Sequence, residues 1–167
     1  MNSMRILLIV AALVLAPKNV SADWQFTKWD TQWGMTPDQA LAASKGALQE
    51  CDPKVCDGRP WLNSQAQLHG TYEDGGFLFK GVAYFDREAN KLRRINLALK
   101  QHEKTNASME RLRGDILFEA LRRRYGAPHG QTWDLTFRRW RLGTDVVRLY
   151  TGTFIAIHYE DPSADEP

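Results

Sequence analysis

The residues best suited to binding chemistry lie near the C-terminal end of the chain, where arginines alternate with aromatic side chains. Arg138 and Trp140 fall in one predicted strand, and Arg148 and Tyr150 fall in the next. Guanidinium groups match carboxylates and phosphates, and arginine and aromatic side chains are enriched where proteins bind each other. We predict that these four side chains form a contact surface and that Arg138, Trp140 and Tyr150 point away from the core. A solvated sheet face with cross-strand packing is the alternative interpretation.

The signatures of common enzyme classes do not occur in the sequence. It lacks a nucleophile elbow, a zinc-protease motif, a phosphate-binding loop and a dinucleotide-binding fingerprint. No two histidines lie at helical ligand spacing, although His69 and His158 fall on predicted strands and could meet across a sheet. We therefore expect no catalytic residue, no metal site and no other cofactor. A hydrolase with an unrecognised site is kept as a third interpretation of the function.

The N-terminal residues have the organisation of an export signal. Arg5 provides the positive charge, residues 6–16 form an apolar run, and Val20-Ser21-Ala22 is a small-residue cleavage site. The apolar run is shorter than the roughly 20 residues that span a bilayer. We predict a signal peptide over residues 1–22 that is cleaved after Ala22, which places the mature chain in the periplasm or outside the cell. An N-terminal anchor that is never cleaved is the alternative.

Cys51 and Cys56 are the two cysteines of the chain. We predict a disulfide between them, because an exported protein meets an oxidising environment. Closing so short a loop would stabilise the fold by about 2 kcal/mol, through the lower entropy of the unfolded chain. A redox-active pair is the alternative, but such pairs more often have two intervening residues than the four found here.

The charges of the mature chain balance overall but are unevenly placed. Removal of residues 1–22 takes away Arg5 and Lys18, which leaves 20 basic and 20 acidic residues. Residues 91–149 contain 14 basic and 6 acidic residues, a local excess of +8. Such an excess can mark an anionic partner, so an anionic component of the cell envelope, such as a lipid headgroup or an acidic glycan, is a second candidate ligand. The alternative is that these charges only solvate the outer faces of one helix and a few strands.

A long amphipathic helix is predicted at the start of the segment 106–160. Asn106 or Ser108 can cap its N-terminus, and Gly126 and Pro128 end it. Apolar residues recur between these limits at helical spacing and form a stripe suited to packing on a sheet. The residues of this predicted stripe are Met109, Leu112, Ile116, Leu117, Ala120, Leu121 and Tyr125.

Three strands follow this helix. Trp133, Leu135 and Phe137 alternate with polar residues, so we predict that their side chains point toward the core. A second strand contains Val147 and Leu149, and the last strand covers residues 154–160. The turns between the strands are short, which predicts that neighbouring strands run antiparallel.

Residues 36–100 show a looser copy of the same plan. Thr36, Pro37 and Gln39 form a helix start with a capping box. The third strand has the cleanest alternation. It predicts that Ile95, Leu97 and Leu99 face the core and that the residues between them point outward, namely Arg94, Asn96, Ala98 and Lys100. The predicted strands of this unit are residues 66–72, 77–86 and 91–100.

Together these elements predict an α+β fold. It consists of two α-β-β-β units, 36–100 and 106–160, with antiparallel strands and with both helices packed on one face. We expect the units to form a single domain over residues 23–160, either by sharing a core between two sheets or by forming one continuous sheet. Residues 161–167 are predicted to be a disordered tail.

The segment before the first helix is rich in aromatic residues. We predict that this N-terminal arm covers the open side of the core, because large rings bury much area. The alternative is an exposed aromatic row that stacks on sugar rings or captures a partner. The aromatic residues of the arm are Trp24, Phe26, Trp29 and Trp33.

Three short motifs carry a resemblance to known proteins. They are Trp33-Gly34-Met35-Thr36-Pro37, the hairpin from Tyr84-Phe85-Asp86 to Lys91-Leu92, and Tyr125-Gly126-Ala127-Pro128. The chain resembles a broad group of small bacterial periplasmic proteins that open with Trp-Gly-Met-Ser/Thr-Pro. Its tandem helix-plus-three-strand plan is similar to β-lactamase-inhibitor-like folds. The motifs are caps and turns, so the resemblance implies a fold and a compartment more than an activity.

These observations lead to a first hypothesis for the function. We expect an exported, non-enzymatic binding module that takes part in protein–protein interaction or acts like an inhibitor in the bacterial envelope. Its expected partner is another envelope protein, with an anionic lipid or glycan as the alternative. No nucleic-acid partner is expected. The sequence leaves the oligomeric state open.

Overall fold

The computed structural model describes residues 28–52, 56, 64–100 and 106–165. The predicted signal peptide, its cleavage site after Ala22, and the aromatic residues Trp24 and Phe26 lie outside the described residues. Within the part of the chain that is described, no helix has the length and apolar character needed to cross a membrane.

Two α-helices, eight strands and a short 3-10 helix make up the described structure. The capping box at Thr36 and Gln39 forms as predicted, and Asn106, rather than Ser108, caps the second helix by accepting a hydrogen bond from the Met109 amide. In chain order the elements are α1 (Pro37–Ala43), β1 (Leu48–Glu50), β2 (Ser64–Asp74), β3 (Phe77–Asp86), β4 (Leu92–Leu99), α2 (Ala107–Tyr125), β5 (Gly130–Gln131), β6 (Phe137–Leu142), β7 (Asp145–Thr151), β8 (Ile155–Glu160) and the 3-10 helix (Pro162–Asp165).

All eight strands belong to one antiparallel sheet in the order β1-β2-β3-β4-β8-β7-β6-β5. Strands β1 to β4 come from the first half of the chain and β5 to β8 from the second. The two halves meet where β4 pairs with β8, for example at Leu97 and Ile157. The predicted α+β fold with antiparallel strands is confirmed. The sequence did not indicate the edge strands β1 and β5, which are only three and two residues long and cannot show a period.

The two faces of this sheet have different surroundings. One face, which we call the helical face, packs with α1 and α2 into a single hydrophobic core. We call the opposite face the open face, because neither α-helix packs on it. Alternation assigns each strand residue to a face; for example, Ile95, Leu97 and Leu99 of β4 are buried in the core, as predicted.

Helix α2 is rotated relative to the stripe predicted from its sequence. It packs tightly on the sheet at Gly114, where an added Cβ would lie 3.1 Å from the Thr151 Cγ2 atom. The residues one and two turns further on, Leu117 and Leu121, are therefore buried. The prediction that Met109, Leu112 and Ile116 also face the sheet is wrong, since all three are exposed. The pattern of apolar side chains alone did not indicate that the side of α2 with a glycine would pack on the sheet.

The N-terminal arm packs on the helical face, as predicted for Trp29 and Trp33. Trp29 is buried, and its ring lies directly over Gly81 of β3. The Trp33 indole N–H donates to the carbonyl oxygen of Thr144 at 2.7 Å and to Asp145, which also pairs with Lys28. These contacts attach the arm to the turn between β6 and β7.

The end of the chain is more ordered than the sequence predicts. Asp161 accepts a hydrogen bond from the Arg93 guanidinium at 2.7 Å, and Ser163 accepts one from the same group at 2.9 Å. Residues Pro162–Asp165 form the 3-10 helix, so the prediction of a disordered tail is wrong for residues 161–165. Residues 166–167 lie outside the described residues.

Candidate binding groove on the open face

The four residues predicted to form one contact surface are divided between the two faces of the sheet. Trp140 has 0% of its surface exposed and pairs with Val147, while Arg138 is 6% exposed and pairs with Leu149. Both lie on the helical face, so the prediction that they point away from the core is wrong. Arg148 and Tyr150 lie on the open face, as the pairing of Tyr150 with Ala156 shows.

The error comes from the start of strand β6. The alternation predicted from Trp133 assumes a regular strand through Phe137, but β6 begins only at Phe137. Trp133 and Leu135 lie in a turn in which Leu135 has a φ of 59°, and both side chains are exposed. The prediction that they face the core is therefore wrong. It is also wrong for Phe137, which pairs with Tyr150 on the open face, so the inside–outside assignment of the residues in β6 is reversed.

Arg138 and Trp140 have structural partners on the helical face. The Arg138 guanidinium lies 4.1 Å from the centre of the Phe118 ring. Its burial lowers the pKa of Arg138, an effect that the negative charge of Asp115 opposes. The Trp140 indole N–H donates to the carbonyl oxygen of Gly126 at 2.9 Å, which ties β6 to the C-terminal end of α2. Neither residue is placed to contact a partner.

A groove of about 320 Å³ lies on the open face, over the central strands β3, β4 and β8. The groove forms because Ala98 and Ala156, which pair directly across β4 and β8, have short side chains that leave space above the sheet. Larger side chains on both sides form its walls. The described residues that line it are Cys56, Lys80, Val82, Tyr84, Asn96, Ala98, Tyr150, Phe154, Ala156 and His158.

Aromatic rings form one wall of the groove. The Tyr150 ring lies 5.2 Å from the Phe137 ring, 6.4 Å from the Phe154 ring and 4.6 Å from the His158 ring, measured between centroids. These contacts restrict the rotation of the Tyr150 side chain. Phe154, in the turn between β7 and β8, is more than half exposed, so its ring offers apolar surface to a ligand.

A disulfide lies at the opposite edge. Cys51 and Cys56 are bonded, with their Cα atoms 5.6 Å apart, as the sequence predicts. Cys51 follows β1, and its amide donates to the carbonyl oxygen of Gln67 in β2 at 2.8 Å. The bond therefore holds Cys56, which lines the groove, to the edge of the sheet. A disulfide fits an oxidising compartment outside the cytoplasm.

Two arginines and one glutamate form a cluster at one end of the groove. The buried Glu160 carboxylate lies 2.8 Å from the Arg94 guanidinium and 3.0 Å from that of Arg148. Glu160 is two residues after His158 on β8, and Arg148 pairs with His158 across β7 and β8. We call these three residues the Arg94–Glu160–Arg148 cluster. Two guanidinium groups and one carboxylate give the cluster a net charge of +1.

His158 adds no charge to the groove at neutral pH. Burial, and to a smaller extent the positive charges of Arg94 and Arg148, together lower its pKa to about 3. Asn96, its pairing partner on β4, has a buried Oδ1 atom that accepts no hydrogen bond from the residues described. A buried polar atom of this kind is uncommon and can be satisfied by a ligand or by water.

The open face as a whole is cationic. On the strands β3, β4, β8, β7 and β6, the positions that face this side carry five basic residues and two acidic residues, Asp86 and Glu160, a net charge of +3. The basic residues are Lys80, Arg94, Arg139, Arg141 and Arg148. Four of these five basic residues belong to the basic segment 91–149, and together they could attract an anion to this face.

Other concave or polar positions among the described residues are less suited to binding a ligand. A concavity of about 570 Å³ near α1 and β2 is lined by described residues that include the carboxylates Asp38 and Glu50 but no cation and no aromatic ring. Within the described residues, no three metal-ligating side chains come together. His69 and His158 share the open face, but β3 and β4 lie between their strands, so they do not meet.

The position of some groove residues could be predicted from the sequence, and that of others could not. Alternation in β4 predicted that Arg94, Asn96 and Ala98 point outward, and their pairing on the open face confirms this. No local pattern indicated that Glu160 and His158 would lie beside them. These residues are neighbours only because β4 and β8 pair with each other. The paired residues are more than fifty positions apart in the chain.

Comparison with protein-family models, with curated proteins and with solved structures finds no match for this chain.

Titration of His158 gives a prediction for stability. The unfolded chain binds a proton near pH 6.5, whereas folded His158 binds one only near pH 3. Between these values the unfolded state holds more protons, so the free energy of unfolding falls as the pH is lowered, with a slope approaching about 1.4 kcal/mol per pH unit. We expect His158→Gln to remove this slope between pH 6.5 and 4.5, measured by urea unfolding. An unchanged slope would contradict a buried neutral imidazole, and His129→Gln, at an exposed histidine, is the control.

Proposed function

We propose that this chain is an exported, non-enzymatic binding module of the bacterial envelope that contacts its partner through the open face of the sheet. The observation that carries the proposal is the groove itself. The helical face is filled by α1, α2 and Trp29, whereas the open face has a concavity with an aromatic wall and with Lys80 in its lining. A concave site with a few convergent polar groups is the usual form of a binding site.

The proposed compartment has two kinds of support. The sequence of the first 22 residues has the organisation of a cleavable signal peptide, and the chain resembles small periplasmic proteins. The Cys51–Cys56 disulfide fits an oxidising environment. We therefore propose that the mature protein begins after Ala22 and acts in the periplasm or outside the cell.

A protein partner is the first candidate. Arg148 and Tyr150 remain on the same face, and arginine and tyrosine are enriched at the energetic centres of protein interfaces. Tyr150 is held by three neighbouring rings, so little conformational entropy is lost when it is covered. An inhibitor-like or interaction module would insert an apolar side chain of its partner into the groove.

An anionic envelope component is the second candidate, and the net charge of +3 on the strand positions of the open face favours it. Charge attraction of this kind raises the rate and the affinity of binding to an anion and is screened by salt. A hydrolase has less support, because an imidazole with a pKa of about 3 is a weak general base near neutral pH.

Blocking the groove tests the proposal. Ala98 is exposed on the groove floor, so Ala98→Trp should fill the groove without disturbing the core. We expect the wild-type protein to capture a defined set of envelope proteins or anionic components from envelope extract, and the Ala98→Trp variant to lose it. Ala107→Trp, which places the same side chain at an exposed position of α2, is the matched control. Identical capture by wild type and Ala98→Trp would reject the open face as the contact surface.

A further inference from the structure

The side chains that line the groove have a fixed order across the sheet. Cross-strand pairing places Lys80 beside Ala98, Ala98 beside Ala156, and Ala156 beside Tyr150. Neighbouring strands lie about 4.8 Å apart, and Asn96 lies about 7 Å from Ala98 along β4. The two alanines, which form the floor of the groove, therefore have an amine on one side, an aromatic ring on the other and a carboxamide along the strand.

The floor and the aromatic wall suit one apolar side chain. Phe154 is 54% exposed, and its ring lies 6.4 Å from the restricted ring of Tyr150. An apolar side chain that moves from water onto this surface stabilises the complex, and an aromatic one gains ring contacts as well. The groove volume of about 320 Å³ is at the lower end of the range for small-molecule sites, which fits one large side chain rather than a long segment.

Lys80 provides a positive charge at one side of the floor. Its side chain is exposed and lines the groove, and no acidic side chain among the described residues forms an ion pair with it. The lysine amine is a compact charge on a flexible stem, so it can follow a carboxylate that rests beside the floor. Charge complementarity therefore favours a ligand with a carboxylate at this position.

Asn96 provides a hydrogen-bond donor and an acceptor on one side chain. Its Oδ1 atom is buried and accepts no hydrogen bond within the described part of the chain. Buried polar atoms are normally paired, and one in the lining of a groove can be paired by a ligand. A peptide group matches a carboxamide, because its N–H can donate to the Oδ1 atom and its carbonyl oxygen can accept from the Nδ2 atom.

We propose that the groove binds the C-terminal residue of a peptide chain when that residue has a large apolar side chain. The side chain lies on the Ala98–Ala156 floor, the terminal carboxylate lies beside Lys80, and the last peptide group pairs with Asn96. A C-terminal residue carries its carboxylate and its peptide nitrogen on one Cα atom, and both polar positions of the groove border Ala98. The inference rests on the proposed function, since it names the part of a protein partner that the same groove takes.

The two polar positions distinguish this ligand class from simpler ones. A fatty acid would place a carboxylate beside Lys80 but would leave the Asn96 carboxamide without a partner. An internal peptide segment would pair with Asn96 but would bring no main-chain carboxylate to Lys80. A C-terminal apolar residue supplies both groups together with the side chain that fills the floor.

NMR titration of the isotope-labelled protein with N-acetylphenylalanine tests the inference, because this small molecule carries all three groups. N-acetylglycine lacks the apolar side chain, N-acetylphenylalaninamide lacks the carboxylate, and phenylpropionate lacks the peptide group. We expect N-acetylphenylalanine to bind at least about tenfold more tightly than N-acetylglycine. It should bind at least about threefold more tightly than each of the other two probes. Equal affinity for any one of the three partial probes would overturn the proposed class.

Lys80→Gln separates the carboxylate contact from a general effect on the groove. We expect the affinity for N-acetylphenylalanine to fall at least about threefold. The affinity for N-acetylphenylalaninamide should not change, because that probe has no carboxylate to lose its partner. Arg123→Gln, at an exposed position of α2, removes the same charge elsewhere and should bind as the wild type does. Equal losses for the two probes, or no loss for N-acetylphenylalanine, would overturn the inference.

Asn96→Leu tests the peptide contact independently of the charge. Leucine is similar in size to asparagine but forms no side-chain hydrogen bond, so the affinity for N-acetylphenylalanine should fall at least about threefold. The affinity for phenylpropionate should not fall, and a similar fall for both probes would contradict the pairing of Asn96 with a peptide group.

Failure of the ligand class can be distinguished from failure of the proposed function. If N-acetylphenylalanine does not bind the wild-type protein while Ala98→Trp still abolishes partner capture, the ligand class is wrong and the proposed function stands. If capture is also unaffected by Ala98→Trp, both are wrong.

Discussion

Replacement of Trp140 by alanine is expected to destabilise the protein by about 3–5 kcal/mol. The indole is fully buried between β6 and α2, with its ring 6.3 Å from that of Phe118 and its N–H bonded to the Gly126 carbonyl oxygen. Its removal leaves a large cavity and an acceptor at the C-terminal end of the helix without its donor. Because small domains are stable by only about 5–15 kcal/mol, this loss is a large fraction of the total. Urea unfolding of the purified variant measures it.

Trp133 provides the matched control in the same part of the chain. It is 95% exposed in the turn before β6, so Trp133→Ala should change the free energy of unfolding by no more than about 0.5 kcal/mol. Similar losses from the two substitutions would show that the face assignment of β6 is incorrect. Neither substitution is expected to change binding at the groove, since Trp140 lies on the opposite face and Trp133 is not among the described residues that line it.

Substitution of Gly81 is the second change for which we expect a large effect. The Trp29 ring lies so close to this glycine that an added Cβ would be 2.1 Å from the Trp29 Cη2 atom and 3.0 Å from the Leu97 Cδ2 atom. The first distance is too short for a real contact and the second is tight, so the ring or the strand must move. We expect Gly81→Ala to lower the free energy of unfolding by about 1–3 kcal/mol, as overpacking does. Gly130→Ala, where an added Cβ meets nothing within 4 Å, should have little effect.

A double-mutant cycle identifies the cause of this loss. Trp29→Ala is itself destabilising, because it empties the space over β3. In the Trp29→Ala background, however, Gly81→Ala should lower the free energy of unfolding by at least about 1 kcal/mol less than it does in the wild type. Thermal or urea unfolding of the four proteins gives the coupling energy. Additive effects would mean that Trp29 does not rest on Gly81.

The division of the sheet into a helical face and an open face connects stability to the proposed function. Trp140 and Trp29 stabilise the helical face, and the residues that shape the groove are on the other side of the same strands. Substitutions at exposed groove positions such as Ala98 can therefore change binding without a large change in stability. Glu160 is the exception, because it is buried and paired with two arginines, and loss of a buried partner is usually destabilising.

Much of the fold could be predicted because its signals are local. Thr36 and Asn106 begin the helices, and the alternation in β4 assigned Arg94, Asn96 and Ala98 to the outer face. A helix cap or the alternation of a strand depends only on residues a few positions apart, so a single sequence is enough to predict it. The same kind of signal failed at Trp133 and Leu135, where a residue with positive φ interrupts the strand and the alternation no longer carries through.

The sequence by itself determined the helix starts, the cysteine pair, the antiparallel strands and the outward face of β4. Only the tertiary structure decided that β4 pairs with β8, which forms one sheet and brings Arg94, Glu160 and Arg148 together. It also decided that Trp140 is a core residue and that α2 approaches the sheet at Gly114. These features depend on contacts between residues far apart in the chain, and such contacts are selected by packing and by the closure of long loops rather than by local preference.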